Sequence, residues 1–441
     1  MAQRIAAAAR PGEQVEAYVS WHRETDIRAF DGDVESLSSA ESAGVGVRVV
    51  AGGRQGFAYV GNLDAHLARE ALEGARDNAS FATPDEHVGL ASPDGAPVAP
   101  LELWDDRLGA FPVDAKVALA LELERRVRAG DARIRQVVSS DYGDSLSESA
   151  IATSTGIAAT SRRTTCYLAA DAVAGERDET QTGDGYTVGR GESDLDLAAA
   201  AHDVVERATR LLGARKPPSA RLDVVLDRRV TATLLAILAG TLSGEEAAKG
   251  RSLFAGRLGE EVGVASLTLV DDPTHDAAFG AAVYDSEGLA CRRNLLVDRG
   301  RLAGFLYDTY SARLAGTTST ASAVRGGFKS TPGVGARALS LLPGTLDQQG
   351  IVSLVGDGLL VQGISGVHSG VNPVSGDFSV GAEGLMIRGG ELAEPVREIT
   401  IASTVQRMLQ HVLAVGTDVQ WLPSVAAGVS LAIGDVAMSG A

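Results

Sequence analysis

Apolar and polar positions alternate over Gln14–Trp21, the period of a half-buried strand. Asp26–Ser36, Gly44–Ala51 and Gly56–Gly61 follow, with turn residues between them, so the opening segment reads as a run of hairpins in an antiparallel sheet. The period then changes. Leu67, Ala71, Leu72 and Ala75 share one face of a helix predicted over Asp64–Ser80, with Asp64 as its N-cap. Thr83–Glu102 is rich in Pro, Asp and Gly and reads as a loop. A second helix is expected over Val113–Ala129, where Val117, Leu119, Leu121, Leu123 and Val127 stand among polar residues. Strands are expected at Arg133–Ser140, Ser145–Thr153, Ala158–Ala170 and Glu179–Val188, and a third helix at Leu195–Leu212.

Gly213-Ala214-Arg215-Lys216-Pro217-Pro218-Ser219 breaks the pattern. Two prolines after a helix end it and start an extended linker. At 441 residues the chain exceeds the usual size of one core, so two domains are expected, 1–215 and 216–441. Beyond the break, Leu222–Leu226 reads as a strand and Arg229–Leu242 as an apolar helix. Short strands are then expected at Val283, Ala290–Asn294, Leu302–Leu306, Leu339–Leu342, Gly358–Ile364, Phe378–Ile387 and Glu398–Ile401, with a short helix at Thr404–Val412. The fold class is therefore α+β: an N-terminal antiparallel sheet with about three helices, then a mostly-β half with two or three.

Charge narrows the partners. Forty basic residues face 57 acidic ones, a net charge of −17. A field of that sign repels phosphate backbones, so general nucleic-acid binding is not expected. No apolar run approaches the length of a membrane span, and Ile5–Ala9 is too short for a signal-peptide core. The expected location is cytoplasmic. Cys166 and Cys291 lie far apart in the chain and read as ordinary reduced thiols.

Direct catalytic motifs are missing. His22, His66, His87, His202, His275, His368 and His411 include no pair within one helical turn, so no HExxH-type zinc pair exists. His368-Ser369 with Asp377 contains the residue types of a hydrolase triad. Neighbours on an extended loop point apart, however, and no G-x-S-x-G elbow is present. Tyr307-Asp308-Thr309-Tyr310-Ser311-Ala312-Arg313 fits a pocket lining and a helix start capped by Asp308 equally well. Gly244-Glu245-Glu246-Ala247-Ala248-Lys249 reads as a polar helix end.

The densest signal is Gly363–Gly384, where six glycines fall within 22 residues, among Ser, Asn and Asp. Ile364, Val367, Val371, Val374, Phe378 and Val380 recur through it. That combination predicts a loop pinned to a core, with backbone placed close to something.

These segments together resemble the TldD/TldE (PmbA) family over nearly the whole chain. Ser36-Leu37-Ser38, Ala43–Val49 and Gly56–Tyr59 carry the likeness in the first half. Leu242–Arg251, Phe305–Arg313, Gly366–Gly384 and Glu398–Ala402 carry it in the second. The resemblance implies a heterodimer. Its TldD-like branch bears a His-Glu-x-x-x-His zinc motif on a helix and cleaves extended or unfolded peptides; the TldE-like branch lacks the motif. Here Gly244 and Lys249 stand where the histidines would be, and only Glu245 matches. The C-terminal cysteine ligand of the TldD-like branch has no counterpart in Ala414–Asp418. The resemblance thus implies a TldE-like subunit with no cofactor of its own, the zinc residing in a TldD-like partner. It also implies peptide- or partner-facing positions among Tyr307, Asp308, His368, Ser369, Asn372 and Asp377. A dedicated pair for maturing a peptide natural product, and a regulatory binding role in a gyrase or toxin–antitoxin pathway, stay open beside it.

Overall fold

The computed structural model describes residues 1–176 and 179–441. A short helix α1 (Ala2–Ala6) precedes six strands: β1 (Glu13–Phe30), β2 (Asp33–Ala51), β3 (Arg54–Val60), β4 (Ile134–Thr153), β5 (Ala158–Glu176) and β6 (Glu179–Gly189). They form one antiparallel sheet in the order β3-β2-β1-β4-β5-β6. Helices α2 (Ala65–Phe81), α3 (Val113–Gly130) and α4 (Leu197–Arg210) cover one face. Val15, Ala17, Val45 and Val47 pack with Ala68, Ala71, Leu72 and Ala75 of α2. Ile27, Leu168 and Ala170 pack with Leu123 and Val127 of α3 and Val204 of α4. Strand alternation sends Glu16, Tyr18 and Arg48 to the other face, which the second half of the chain covers.

The strands are longer than the apolar pattern predicts. Asp26–Ser36 is not one strand: it straddles a two-residue turn at Asp31 (φ 52°) and Gly32 (φ 81°), the Asp-Gly pair that favours a tight hairpin. The two strands expected at Arg133–Ser140 and Ser145–Thr153 are one continuous strand, β4, from Ile134 to Thr153. Asp33–Ser42 of β2 is almost wholly exposed, so it shows no alternation and is held by backbone pairing to β1.

After α4 the chain runs through 213–219 into β7 (Ala220–Leu226), then α5 (Arg228–Thr241) and the five-residue α6 (Gly244–Ala248). Short strands follow: β8 (Leu269–Asp271), β9 (Asn294–Asp298), β10 (Arg301–Leu302), β11 (Ala323–Val324), β12 (Gly333–Val334) and β13 (Leu339–Leu341). Helices α7 (Thr309–Leu314) and α8 (Gln348–Val355) lie among and after them. The chain ends with β14 (Gly358–Ser365), α9 (Val367–Gly370), β15 (Asp377–Arg388), β16 (Glu391–Thr404), α10 (Val405–Gln410), β17 (Val412–Val415), β18 (Gln420–Trp421), β19 (Ala427–Gly428) and β20 (Leu431–Ser439). Strands β16, β15, β14, β7 and β20 pair in that order, and β16 pairs back to β20, closing a five-stranded barrel. Only β7–β14 is parallel.

The α+β class is as the pattern predicts, with three corrections in the second half. Helices are more numerous but mostly short, and α8 was not anticipated. Val283 lies outside the strands, and the strand expected at 290–294 begins only at Asn294. The barrel strand β20 and its neighbour β17 were also missed. The buried residues of β20, such as Leu431, Ala432 and Ile433, run consecutively rather than alternating, as for a strand buried on both faces, and β17 is only four residues long. Leu234, Leu235 and Leu238 of α5 join Val224, Leu226, Leu359, Val361 and Leu431 of the barrel in one apolar cluster. No helix among the described residues is long and apolar enough to cross a membrane.

Candidate functional site

The end of α5 positions the first candidate group. Ser243 caps α6 through Oγ, and Gly244 N donates to Leu306 O at 2.8 Å while Leu306 N donates to Leu242 O at 2.9 Å. These backbone bonds hold the start of α6 against the segment leading into α7. Gly244 is buried, and a Cβ built on it would lie 2.1 Å from Tyr307 Cε1 and 2.8 Å from Leu306 O. No side chain larger than hydrogen fits at 244 while the Tyr307 ring stays in place.

One turn on, Lys249 Nζ sits 2.5 Å from Glu245 Oε1 and 5.7 Å from the centre of the Tyr310 ring. The Tyr310 hydroxyl donates to Asp85 Oδ2 at 3.1 Å, which ties α7 to the loop after α2. The carboxylate of Glu245 therefore faces an ammonium.

Asp308 is a buried helix cap. Its Oδ1 accepts from Ser311 N at 2.8 Å and from Ser311 Oγ at 2.5 Å. Of the two readings of this segment, the helix start is the one observed. Glu287 adds to that cap: its Oε2 accepts from Thr309 N at 2.9 Å and Thr309 Oγ1 at 2.6 Å.

Gly366–Gly376 forms a separate, exposed hairpin loop between β14 and β15. Gly366 adopts φ 74° and starts α9, a single helical turn, so His368 and Ser369 are not on extended backbone as expected. Ser369 Oγ donates to Gly366 O at 3.3 Å. Asn372 Oδ1 accepts from Val374 N at 2.9 Å and Ser375 N at 3.1 Å, an Asx turn, and Asp377 Oδ2 accepts from Ser375 Oγ at 2.6 Å. The loop rests on α10, through Val405 N to Gly376 O at 2.8 Å and Gln406 Nε2 to Ser375 O at 2.9 Å. Among the described residues, no hydrogen bond or ion pair joins His368, Ser369 and Asp377, and none joins this loop to Glu245, Tyr307 or Asp308.

A third group escaped sequence reasoning. Glu16, fully buried on β1, lies between two guanidinium groups: Arg48 Nη2 at 2.5 Å and Arg325 Nη2 at 2.6 Å. Burial alone would raise the Glu16 carboxyl, but Arg325 and Arg48 together hold it below its ordinary range. Arg48 also faces Glu287 Oε1 at 3.6 Å, and Arg325 stacks 4.4 Å from the centre of the Tyr18 ring. Burial raises Glu287 and the neighbouring Asp285 well above the usual carboxylate range; their mutual charge adds to the effect at Glu287. The available signals were an acid within the alternating Gln14–Trp21 and a base within Ala43–Val49. Neither identifies its partner, because Arg325 is 309 positions from Glu16.

Profiles of the PmbA/TldA metallopeptidase family match the chain in three blocks: domain 1 over residues 15–79, the central domain over 106–212 and the C-terminal domain over 219–440. The chain belongs to the PmbA/TldD metallopeptidase family. Metalloprotease PmbA of Escherichia coli O157:H7 is 25% identical over 398 residues, 90% of this chain and 86% of that one. A metalloprotease TldD homologue of Haemophilus influenzae is 26% identical over 396 residues, 87% and 81% of the two chains. TldE from Thermococcus kodakarensis shares the fold with a TM-score of 0.87 at 24% identity, over 97% of each chain. Identities to PmbA and TldD relatives are nearly equal, so the level of identity does not separate the branches of the PmbA/TldD family.

A PmbA/TldD metallopeptidase implies zinc in the working complex. Among the described residues of this member, no three His, Cys, Asp or Glu side chains gather as a metal-binding group. Cys166 and Cys291 are buried free thiols, each pushed by burial up to about 12. They are poor sources of the thiolate that binds metals.

Proposed function

We propose that this chain is the zinc-free, TldE/PmbA-like subunit of a heterodimeric peptidase, in which a TldD-like partner carries the zinc and the chemistry. The observation that carries this reading is the Tyr307 ring packed over Gly244, with Lys249 paired to Glu245. Position 244 has no room for an imidazole, and position 249 presents an ammonium that repels Zn²⁺. The residues present do not fit the ion, so Glu245 has no metal-bound water to deprotonate. This chain's part is then to shape the peptide path and hold the catalytic subunit. An extended substrate fits such a path through backbone hydrogen bonds, with little demand on sequence.

The Gly366–Gly384 segment is the proposed partner- or peptide-facing surface. Asn372 and Asp377 build the loop's turns, while His368 is exposed with no hydrogen-bond partner among the described residues. Co-expression with a TldD-like subunit and size-exclusion chromatography test the reading. A stable heterodimer is expected, and it should weaken when Asn372 and Asp377 are both changed to Ala. Unchanged assembly and unchanged peptidolysis in that variant would remove the loop from the interface. Proteolysis within 213–219 that releases two resistant pieces is the expected sign that 1–215 and 216–441 are separate domains.

A further inference from the structure

The helix-free face of the N-terminal sheet and the second half of the chain border a cleft of about 730 Å³. Its floor is the first half of β1 with the end of β4 and the start of β5, and residues 281–286, Arg325 and Arg337 form the opposite wall. The volume lies in the range of small-ligand sites. The lining combines aromatic rings, Tyr18, Trp21 and Tyr284, with four arginines and three acids, Glu102, Glu148 and Asp285.

Two of those arginines are already committed. Arg325 is held by Glu16, and Arg162 lies 3.6 Å from Glu102 and 5.5 Å from the centre of the Trp104 ring. The other two, Arg163 and Arg337, have no carboxylate within ion-pair distance among the described residues. Arg163 reaches only the Ala281 carbonyl. Arg337 Nη2 donates to Ser286 Oγ at 3.1 Å and Ala323 O at 3.0 Å, and its Nε is buried without a partner. Asp285, the acid within this wall, spends its oxygens on backbone: Oδ1 accepts from Glu287 N and Leu289 N, and Oδ2 from Ala323 N. Burial and the nearby positive charge of Arg190 and Arg337 push Arg163 down to about 10.

Burying a guanidinium away from water without a counter-charge is costly. Here two half-buried guanidinium groups border one cleft with no carboxylate in direct contact among the described residues, Arg337 feeling Asp271 and Asp285 only at longer range, in a protein whose net charge is −17. Their planar donor forks match a carboxylate. The aromatic lining suits an otherwise apolar ligand, and the overall negative field disfavours polyphosphates and nucleic acid.

We propose that this cleft binds the carboxylate of a peptide, with Arg163 and Arg337 as its ligands and Tyr18, Trp21 and Tyr284 flanking the adjacent residues. The carboxylate belongs either to the peptide's C-terminus or to an acidic side chain. The choice of a peptide as carrier rests on the peptide-handling role proposed above; the arginine–carboxylate contact does not.

Fluorescence anisotropy on the full chain without a partner tests this. The probes are a fluorescein-labelled octapeptide of Ala and Leu as the free acid, the same peptide as the C-terminal amide, and an amide carrying one internal Glu. The free acid is expected to bind about tenfold or more tightly than the plain amide, the scale of a charge-assisted bidentate contact. R163Q should erase that preference and R163K should retain part of it. Tighter binding of the Glu-containing amide than of the free acid would assign the carboxylate to a side chain, equal affinity would mean that the site takes either, and both uphold the site. Equal binding of acid and plain amide, binding of none of the three, or a preference that survives R163Q would overturn it. Should R163Q fail to fold by circular dichroism, R337Q carries the same comparison. Acid preference in a chain that does not pair with a TldD-like subunit would sink the subunit reading and leave this one standing.

Discussion

Tyr307 covers Gly244. The two residues belong to different segments, tied by the backbone bonds between Leu242, Gly244 and Leu306, and the ring occupies the volume that any side chain at 244 would need. In the resemblance to the zinc-bearing branch, 244 is a histidine position. In this chain the space above it is filled from α7's leading segment. Restoring a histidine therefore means displacing an aromatic ring as well as changing a residue.

Gly244→Ala should accordingly destabilise the protein by about 1–3 kcal/mol, the usual range for overpacking. Tyr307→Ala in the same chain should recover part of that loss, because the clash is removed while the ring's own packing is forfeited. A thermal-denaturation double-mutant cycle reads the coupling between the two positions. Additive effects would mean that the ring does not confine residue 244.

Two lysine–carboxylate pairs should differ widely in what they contribute. Lys116 Nζ lies 2.5 Å from Asp144 Oδ2, both side chains buried between α3 and β4, and the Tyr142 hydroxyl donates to the same carboxylate oxygen at 2.9 Å. Lys116→Ala strands a buried charge and should cost about 3–5 kcal/mol. Lys249→Ala removes an exposed pair one helical turn apart and should cost less than about 0.5 kcal/mol. Chemical denaturation of both variants checks the contrast, and equal losses would contradict it.

The buried acids Asp285 and Glu287 predict a pH dependence. Burial holds both carboxyls above their unfolded values. Between the ordinary carboxylate range and neutrality the folded chain thus binds more protons than the unfolded one, and stability falls as pH rises across that window. Below it the contribution is fully present. Glu16 acts in the opposite sense: its lowered value stabilises above the ordinary range and is lost only as pH falls beneath it. Glu287→Gln should flatten the fall in melting temperature between pH 5 and 7. The wild-type-minus-variant difference isolates this group from everything else the two proteins share. Parallel curves would rule the titration out.

Much of the architecture follows from local pattern. Asp64 caps α2 as its position before an apolar stripe implies, donor bonds from His66 N and Leu67 N included. The class and the three main N-terminal helices follow from period alone. What period does not carry is pairing across distance. The buried face of α3 contains Lys116 and Glu124 beside Ala120, Leu123 and Val127, so its stripe is displaced from the purely apolar one. Lys116 is buried because Asp144 meets it from β4, and Glu124 because its carboxylate accepts from Gly32 N at 3.0 Å. The same holds for the charged layer between Glu16, Arg48, Glu287 and Arg325, and for the cleft beside it. Of the pinned loop expected over Gly363–Gly384, only Gly366–Gly376 is loop, its flanks being the ends of β14 and β15. The helical turn at His368 was not legible, since it depends on Gly366 adopting a left-handed conformation within that run.

The account's central claim is that the zinc and the chemistry belong to a partner. The most direct test is metal content by elemental analysis alongside cleavage of an unfolded protein, for this chain alone and co-expressed with a TldD-like subunit. The prediction is neither zinc nor cleavage alone, and both in the complex. Stoichiometric zinc with cleavage by the isolated chain would contradict it, and the ligands would then have to be sought among His275, His368, His411 and Cys291.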